Sequence, residues 1–459
     1  MSFYTATCSR VLFPLHEWLK GHDSVARRER LEESQWWSAD QLADYRGQRL
    51  RDFLIDIGRR VPYYRELFRG IAFDPRSVRS MADLRALPLL DKTDIRANLG
   101  RLKADGHGPL TRYNTGGSSG QPLIFYMGKA RKSHDVAAKW RATRWWDVDI
   151  GDRELVVWGS PIELGAQDRL RRLRDGVLRS HLLPAFEMSP ANLDRFVDTI
   201  RGRRPAMLFG YPSSLSLIAA HARQQNLTMN TLGIKVAFVT SEKLYDEQRA
   251  VISEVFGCPV ANGYGARDAG FIAHQCPAGS LHISAEDVLV ETLHADGTPT
   301  APGEAGEIVV THLATADFPF VRYRTGDVGI LGDRSCACGR GLPVLQEVQG
   351  RTTDFVVARD GTVMHGLALI YTVRDLPGVD RFRIEQVSID ETIVKLVTGP
   401  DFDRAAEQRI VRDFKARLGE AVSIRVEHVG DIASEASGKY RYVVSHVKPF
   451  AQPREATDA

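Results

Sequence analysis

A chain of 459 residues, 43% hydrophobic and 26% charged, is too long for one small core and is expected to divide into two or three domains. Its 61 lysines and arginines against 58 acidic residues leave a net charge of +3, which excludes the basic surplus of a nucleic-acid binder. No run approaches the roughly 20 apolar residues that cross a bilayer, the N-terminus has no signal-peptide core, and five cysteines are too few for a disulfide framework. A cytoplasmic protein with no nucleic-acid and no membrane partner is expected.

In chain order, the first clear element runs from Ser38 to Val61, where Leu42, Tyr45, Leu50, Phe53, Leu54 and Ile57 recur at near-helical spacing until Pro62. Next comes Thr115-Gly116-Gly117-Ser118-Ser119-Gly120-Gln121-Pro122-Leu123. Its glycines let the main chain approach phosphate oxygens, and backbone N–H groups with the hydroxyls of Thr115, Ser118 and Ser119 can donate to them. The spacing is not that of the GxxxxGK[ST] loop, and taken alone a ligand-free Gly/Ser loop explains it equally well.

From about residue 150, short apolar runs (Leu155 to Trp158, Ala206 to Phe209, Lys235 to Val239) alternate with helical patterns, as α/β layers require. One helix is expected to be capped by Ser241, to carry the stripe Leu244, Val251, Ile252, Val255 and Phe256, and to stop at Gly257. Strand-like runs follow at Asp287 to Glu291, Glu307 to His312 and Phe320 to Arg324, then a Gly- and Cys-rich stretch to Gly350. The rest reads as strand (Arg381 to Val387), strand (Ile393 to Val397), helix (Asp403 to Leu418) and strand (Ser423 to His428).

Cys276 and His282 form one close pair, and Cys336 and Cys338 another about sixty residues later. Thiolate and imidazole suit tetrahedral Zn2+, with His274 as a competing ligand and four unconnected side chains as the bland alternative. Arg169, Arg171, Arg172 and Arg174 read as a solvated helix face rather than a phosphate contact. Trp145 and Trp146 read as packing residues rather than an acyl pocket, and His312 and His365 as ordinary histidines.

Six motifs stand in order: Phe209-Gly210-Tyr211-Pro212-Ser213-Ser214, Thr240-Ser241-Glu242, Asn262-Gly263-Tyr264-Gly265-Ala266-Arg267-Asp268, Tyr323-Arg324-Thr325-Gly326-Asp327, Gly350-Arg351-Thr352-Thr353-Asp354 and Ser437-Gly438-Lys439. With the glycine loop, Val61-Pro62-Tyr63-Tyr64 and Leu87-Pro88-Leu89-Leu90-Asp91-Lys92, this set resembles the adenylate-forming superfamily over nearly the whole chain. Within it, the likeness is to the phenylacetate-CoA ligase and capsular-polysaccharide-biosynthesis ligase-like branch.

The resemblance implies nucleotide binding by Thr115, Gly116, Gly117, Ser118, Ser119, Gly120, Ser241, Glu242, Tyr264, Gly265, Asp327 and Arg351. Tyr264 would lie against adenine, Asp327 would accept from both ribose hydroxyls, and Arg351 would donate to ribose or phosphate. Asp268 stands where the family has a glutamate and would help hold Mg2+ on a stem one methylene shorter. Lys439 would bridge the carboxylate and the α-phosphate. Tyr211 and Gly263 would border the substrate pocket, and Thr353 or Asp354 would be the hinge. Related ligases carry similar cysteines and a histidine around zinc, which implies a structural Zn2+ on Cys276, His282, Cys336 and Cys338. Each role has a bland counterpart: a turn residue for Asp327, a surface charge for Arg351, a solvated lysine for Lys439. Gln121 in place of a lysine and Arg267 in place of a hydroxyl residue are departures that weaken any transfer of substrate identity.

The expected fold is α/β with additional β-structure in a large N-terminal domain, residues 1–350, plus a small mobile α+β C-terminal lid, residues 351–459. The expected reaction is ATP-dependent activation of an aryl or arylacetic acid to acyl-AMP, then transfer to coenzyme A. An amine, a carrier protein or another small nucleophile is the alternative acceptor, a non-catalytic nucleotide-binding homologue is a further alternative, and a homodimer is left open.

Overall fold

The computed structural model of the chain describes residues 2–115, 123–158, 169–185, 188–294, 296–333, 335–349, 355–374, 376–432 and 442–447. The first predicted helix is Ala39–Arg60. Ser38 starts it with a reciprocal cap: its hydroxyl accepts from the Gln41 N–H at 3.2 Å, and the Gln41 side chain accepts from the Ser38 N–H at 2.9 Å. Leu42, Leu50, Phe53, Leu54 and Ile57 are buried along one face. Pro62, which has no N–H to lose, opens the next helix, Pro62–Gly70.

β1 (Thr111–Asn114) and β2 (Ile124–Met127) pair antiparallel on either side of the glycine loop. Thr115 closes the base of that loop, its N–H donating to the Leu123 carbonyl and its hydroxyl accepting from the Leu123 N–H, each at 3.0 Å. β3 (Glu154–Trp158), β4 (Ser180–Pro184), β5 (Met207–Gly210), β6 (Val236–Thr240) and β7 (Val260–Ala266) run parallel in the order 4-3-5-6-7. β5 and β6 are buried along their whole length, as strands covered on both faces must be. β8 (Gly270–Gln275) turns back antiparallel to β7. β9 (Leu281–Ile283), β10 (Val288–Leu293), β11 (Ala305–His312), β12 (Phe320–Leu331) and β13 (Val344–Val348) extend the sheet to 11 strands, all paired antiparallel.

The C-terminal part has its own sheet and core. After the hairpin β14 (Phe355–Val357) and β15 (Val363–His365), the strands β16 (Val379–Ser388), β17 (Glu391–Thr398), β18 (Ser423–His428) and β19 (Val443–Ser445) assemble in the order 18-17-16-19. The helix Arg404–Leu418 turns Ile410 and Phe414 onto Phe382, Ile384, Val394 and Leu396. The expected α/β region with additional β-structure and the small α+β unit are both present; the expected boundary at residue 350 lies outside the described residues.

One local expectation is corrected. The helix after β6 is Asp246–Phe256, with Tyr245 as its N-cap, so Ser241 and Leu244 lie before it. Tyr245 N–H donates to the Gln248 side chain at 3.1 Å, an arrangement that supersedes the Ser241 cap, and Ser241 instead adopts a left-handed φ of 75° in the loop leaving β6. Gly257 does end the helix, at φ 64°.

Candidate functional site

A cleft of about 660 Å³ opens at the carboxyl ends of β5, β6 and β7, the position where parallel α/β sheets take ligands. Tyr211 follows β5, Ser241 and Glu242 follow β6, and Gly263, Tyr264 and Gly265 lie in β7. Thr115, Asp268 and Asp327 complete its wall, so nine sequence-predicted residues converge there. Gly116, Gly117, Ser118, Ser119, Gly120, Arg351, Thr353, Asp354 and Lys439 lie outside the described residues.

Tyr264 and Asp327 are tied directly, the phenol donating to a carboxylate oxygen at 3.0 Å. Asp327 is set in place from behind: its N–H donates to the Thr325 hydroxyl at 3.1 Å, which itself donates to the Ile308 carbonyl at 2.8 Å. The Leu87 to Lys92 segment is docked on the same strand. Leu90 N–H donates to the Arg322 carbonyl and accepts on its own carbonyl from the Arg324 N–H, both at 2.9 Å. That contact brings Lys92, to which the sequence reading gave no role, to the cleft wall.

Asp268 is 5% exposed at the β7–β8 turn. Tyr323 donates to one of its oxygens, and the Ala269 N–H donates to the other at 3.2 Å. Each oxygen keeps a lone pair, so the residue still fits a hard cation in the cleft despite its short stem. The turn itself rests on Arg131, which sequence reasoning missed. This buried guanidinium donates to the Asp268 carbonyl at 3.2 Å and the Arg267 carbonyl at 3.3 Å, and its Nε meets both Asp135 oxygens at 3.0 and 3.1 Å. Gly265 allows the hairpin to close, because a Cβ there would stand 2.4 Å from the Gly270 carbonyl oxygen.

Cys276, His282, Cys336 and Cys338 come together, their donor atoms all within 4.8 Å of one another. The Cys276 and Cys336 sulfurs are 3.6 Å apart, close to the spacing of about 3.8 Å that two thiolates about 2.3 Å from a tetrahedral ion would have. His282 Nε2 lies 3.2 Å from the Cys338 sulfur, while its Nδ1 faces the Leu342 carbonyl at 3.1 Å. With the proton on Nδ1, the Nε2 lone pair points into the cluster. His274 is not in this group; it stacks on Phe271, and burial lowers its pKa to about 3. Trp145 and Trp146 pack as expected, donating to the Gln35 side chain at 2.8 Å and the Gln275 carbonyl at 3.0 Å.

Comparisons with known proteins bear on the fold. A family model, the CapK C-terminal domain, matches residues 356–446. Protein CapK of Staphylococcus aureus is 24% identical over 420 residues, 89% of this chain and 90% of that one. A phenylacetate-coenzyme A ligase of Thermus thermophilus is 24% identical over 435 residues, 88% and 96% of the two chains. A solved 2-hydroxyisobutyryl-CoA ligase, bound to 2-HIB-AMP and CoA, superposes with a TM-score of 0.63 at 19% identity over 90% of this chain and 91% of its own. The chain is similar to CapK and to phenylacetate-coenzyme A ligases and has the fold of an acyl-CoA ligase of the adenylate-forming superfamily. It pairs a large α/β sheet with a C-terminal α/β unit, as that fold does. No helix among the described residues is long and apolar enough to cross a membrane.

Behind the Asp268 turn lies a buried polar cluster. His134 and His312 meet edge to face at 4.7 Å, with Asp135, Asp287, Arg27, Arg49 and Arg131 around them. Burial, reinforced by Arg131 and the other neighbouring cations, holds the His312 pKa well below the ordinary value. Once unfolded, His312 regains a pKa of about 6.5, so below that pH the unfolded chain binds a proton that the folded chain refuses. Stability should therefore fall as the pH drops below about 6.5, by about 1.4 kcal/mol per pH unit from this residue, and should be insensitive to it above. In urea denaturation at about pH 7 and about pH 5, His312→Gln is expected to lose less stability on acidification than the wild type. Parallel losses would show that His312 is not buried as the neutral base.

Proposed function

We propose that the chain uses ATP to activate a carboxylic acid and passes the acyl group to coenzyme A. The observation that carries this reading is the Tyr264–Asp327 pair at the mouth of β7, opposite Asp268 in a cleft of nucleotide size. Tyr264 offers an aromatic face to adenine, and the Asp327 carboxylate offers acceptors to a ribose diol. The glycine loop, fastened at its base by Thr115, would surround the phosphates with N–H donors. The likeness to phenylacetate-coenzyme A ligases supports the coenzyme A step and an aromatic acid. Tyr211 adds to the second point, since it lines the cleft and stacks on Trp158 at 4.4 Å, making an aromatic wall.

In this reading a carboxylate oxygen attacks the α-phosphorus, the bond to the β-phosphate oxygen breaks, and pyrophosphate leaves. A thiolate then attacks the acyl carbon and AMP departs with its electron pair. Lys439 acts in the first step, placing a compact positive charge between carboxylate and phosphate. Mg2+, when held with the help of Asp268, supplies charge neutralisation on the polyphosphate. Tyr323 and Arg131 keep Asp268 in position for that task. The small C-terminal domain, from residue 351, would swing about Thr353 and Asp354 between the two steps.

A panel of aromatic, arylacetic and aliphatic acids should include at least one that triggers pyrophosphate release, and with it Lys439→Ala should lower kcat by at least about 100-fold with little change in ATP binding. Release of AMP for that acid should require coenzyme A. Release with an amine or carrier protein but not coenzyme A would move the acceptor, and ATP binding with no pyrophosphate from any acid would favour a non-catalytic homologue.

The Cys276, His282, Cys336 and Cys338 cluster is proposed to hold one structural Zn2+, since four protein donors leave no open position for substrate. Protein purified without a metal-affinity tag should contain about one zinc per chain, lost together with several degrees of Tm when Cys336 and Cys338 are both replaced by Ser. Metal content unchanged by that double replacement would refute the assignment.

A further inference from the structure

The first turns of the chain are inside out. Residues 3–19 form one nearly continuous helical segment, through Phe3–Thr7, Cys8–Leu12 and Phe13–Leu19. Its buried side holds Thr5, Cys8, Ser9, Phe13 and Glu17. Its solvent side shows Val11 (56% exposed), Leu12 (37%), Leu15 (51%), Trp18 (72%) and Leu19 (71%), flanked by the exposed Arg10 and Lys20. A surface helix ordinarily has the reverse arrangement.

The segment is fastened to the body by its polar side, so the apolar stripe is not waiting to turn inward. Thr5 donates to Asp152 at 2.7 Å, Tyr4 donates to the Val177 carbonyl at 2.7 Å, and Glu17 accepts from Ser24 at 2.5 Å. The Tyr4 contact also joins the helix Arg169–Val177, whose Leu173 (67% exposed) and Val177 (38%) enlarge the apolar face.

Around this face basic groups predominate, and the nearby acids Asp175 and Asp23 are paired with Arg174 at 2.5 Å and Arg27 at 2.9 Å. Arg10 and Lys20 are exposed on the segment itself, and its single acid, Glu17, is buried. Lys129 approaches from the neighbouring helix, where a Cβ on Gly21 would meet its Nζ at 2.7 Å. Arg179 lies over the Tyr4 ring at 3.7 Å. Arg174 stands near enough to Lys20 to add to the effect of burial in lowering the lysine pKa.

We propose that this face seats the protein on an anionic lipid surface, with Leu15, Trp18 and Leu19 in the headgroup boundary and Lys20, Arg10 and Lys129 against the lipid charge. An apolar stripe carrying tryptophan and leucine inside a basic collar suits a helix lying in that plane. A second copy of the chain suits it less well, because a two-fold contact would set the basic collar against itself. The absence of a spanning helix bears only on crossing the bilayer.

The test is co-sedimentation of the full-length protein with vesicles of phosphatidylcholine alone and of phosphatidylcholine with phosphatidylglycerol. Binding is expected to the anionic vesicles, weaker at high salt. The triple variant Leu15→Ser, Trp18→Ser, Leu19→Ser should bind about ten-fold less or worse, and Lys20→Glu should also bind less. Both alter exposed positions outside the cleft, so pyrophosphate release in solution should match the wild type and report that the fold is intact. Absence of binding to either vesicle, or equal binding by the triple variant and the wild type, would overturn the proposal. A dimer in gel filtration that the triple variant converts to monomer, without vesicle binding, would assign the face to a second copy instead.

Discussion

A guanidinium shut away from water must find an acceptor for its donors, and Arg131 spends them on the turn that carries Asp268. Two donations go to the Asp268 and Arg267 carbonyls, and the Nε donation to Asp135 balances the charge. Removing one partner of a buried charged network costs about 3–5 kcal/mol, so the turn has little freedom to wander. The place it fixes is where the sheet changes character, from five parallel strands ending at β7 to the antiparallel extension beginning at β8. Tyr264 comes from the strand before the turn, Asp268 from the turn itself, and Tyr323 and Asp327 from β12 across the sheet. A rigid turn therefore sets the spacing of the whole cleft.

The sequence was most readable where side-chain pattern and structural demand coincide. Leu42, Leu50, Phe53, Leu54 and Ile57 have no use except one buried helix face, and the apolar runs at 155–158, 206–209 and 235–239 are too short for anything but buried strands. The two Cys/His pairs also met as their chemistry suggested. The helix Lys129–Arg144 is hard to read from sequence, because its buried face mixes Arg131, His134 and Arg141 with alanines and Trp140 instead of a stripe of large aliphatic residues. Arg141 donates to Glu286 at 2.6 Å and to the Leu31 carbonyl at 3.1 Å, partners no local pattern reveals. The N-terminal helical segment escaped for the opposite reason, since its apolar residues face solvent. Ser241 failed as a cap because a short polar side chain suits a strained loop as well as a helix start, and only the position of Tyr245 and Gln248 decides between them.

Within the cleft, the motifs located residues but not the supports that orient them. The pairing of Tyr264 with Asp327 joins two motifs sixty-three residues apart, and the docking of Leu90 on β12 joins a third. Through these contacts each motif positions another. The small C-terminal unit has its own core around Phe382 and Phe414, while Ile370 from its helix Leu367–Arg374 lines the same cleft and Val357 packs with the core of the parallel strands.

The central claim is that Asp327, held by Tyr264, recognises the ribose of an adenine nucleotide. It is tested most directly by comparing the affinities of ATP, 2′-deoxy-ATP and 3′-deoxy-ATP for the folded wild type and Asp327→Ala. Charge-assisted hydrogen bonds contribute about 1.5–3 kcal/mol, so the wild type should prefer ATP by about ten-fold or more, and the variant should bind all three weakly and nearly alike. An equal preference for ATP in wild type and variant would contradict the account, leaving Asp327 as a turn residue and the cleft without its nucleotide anchor.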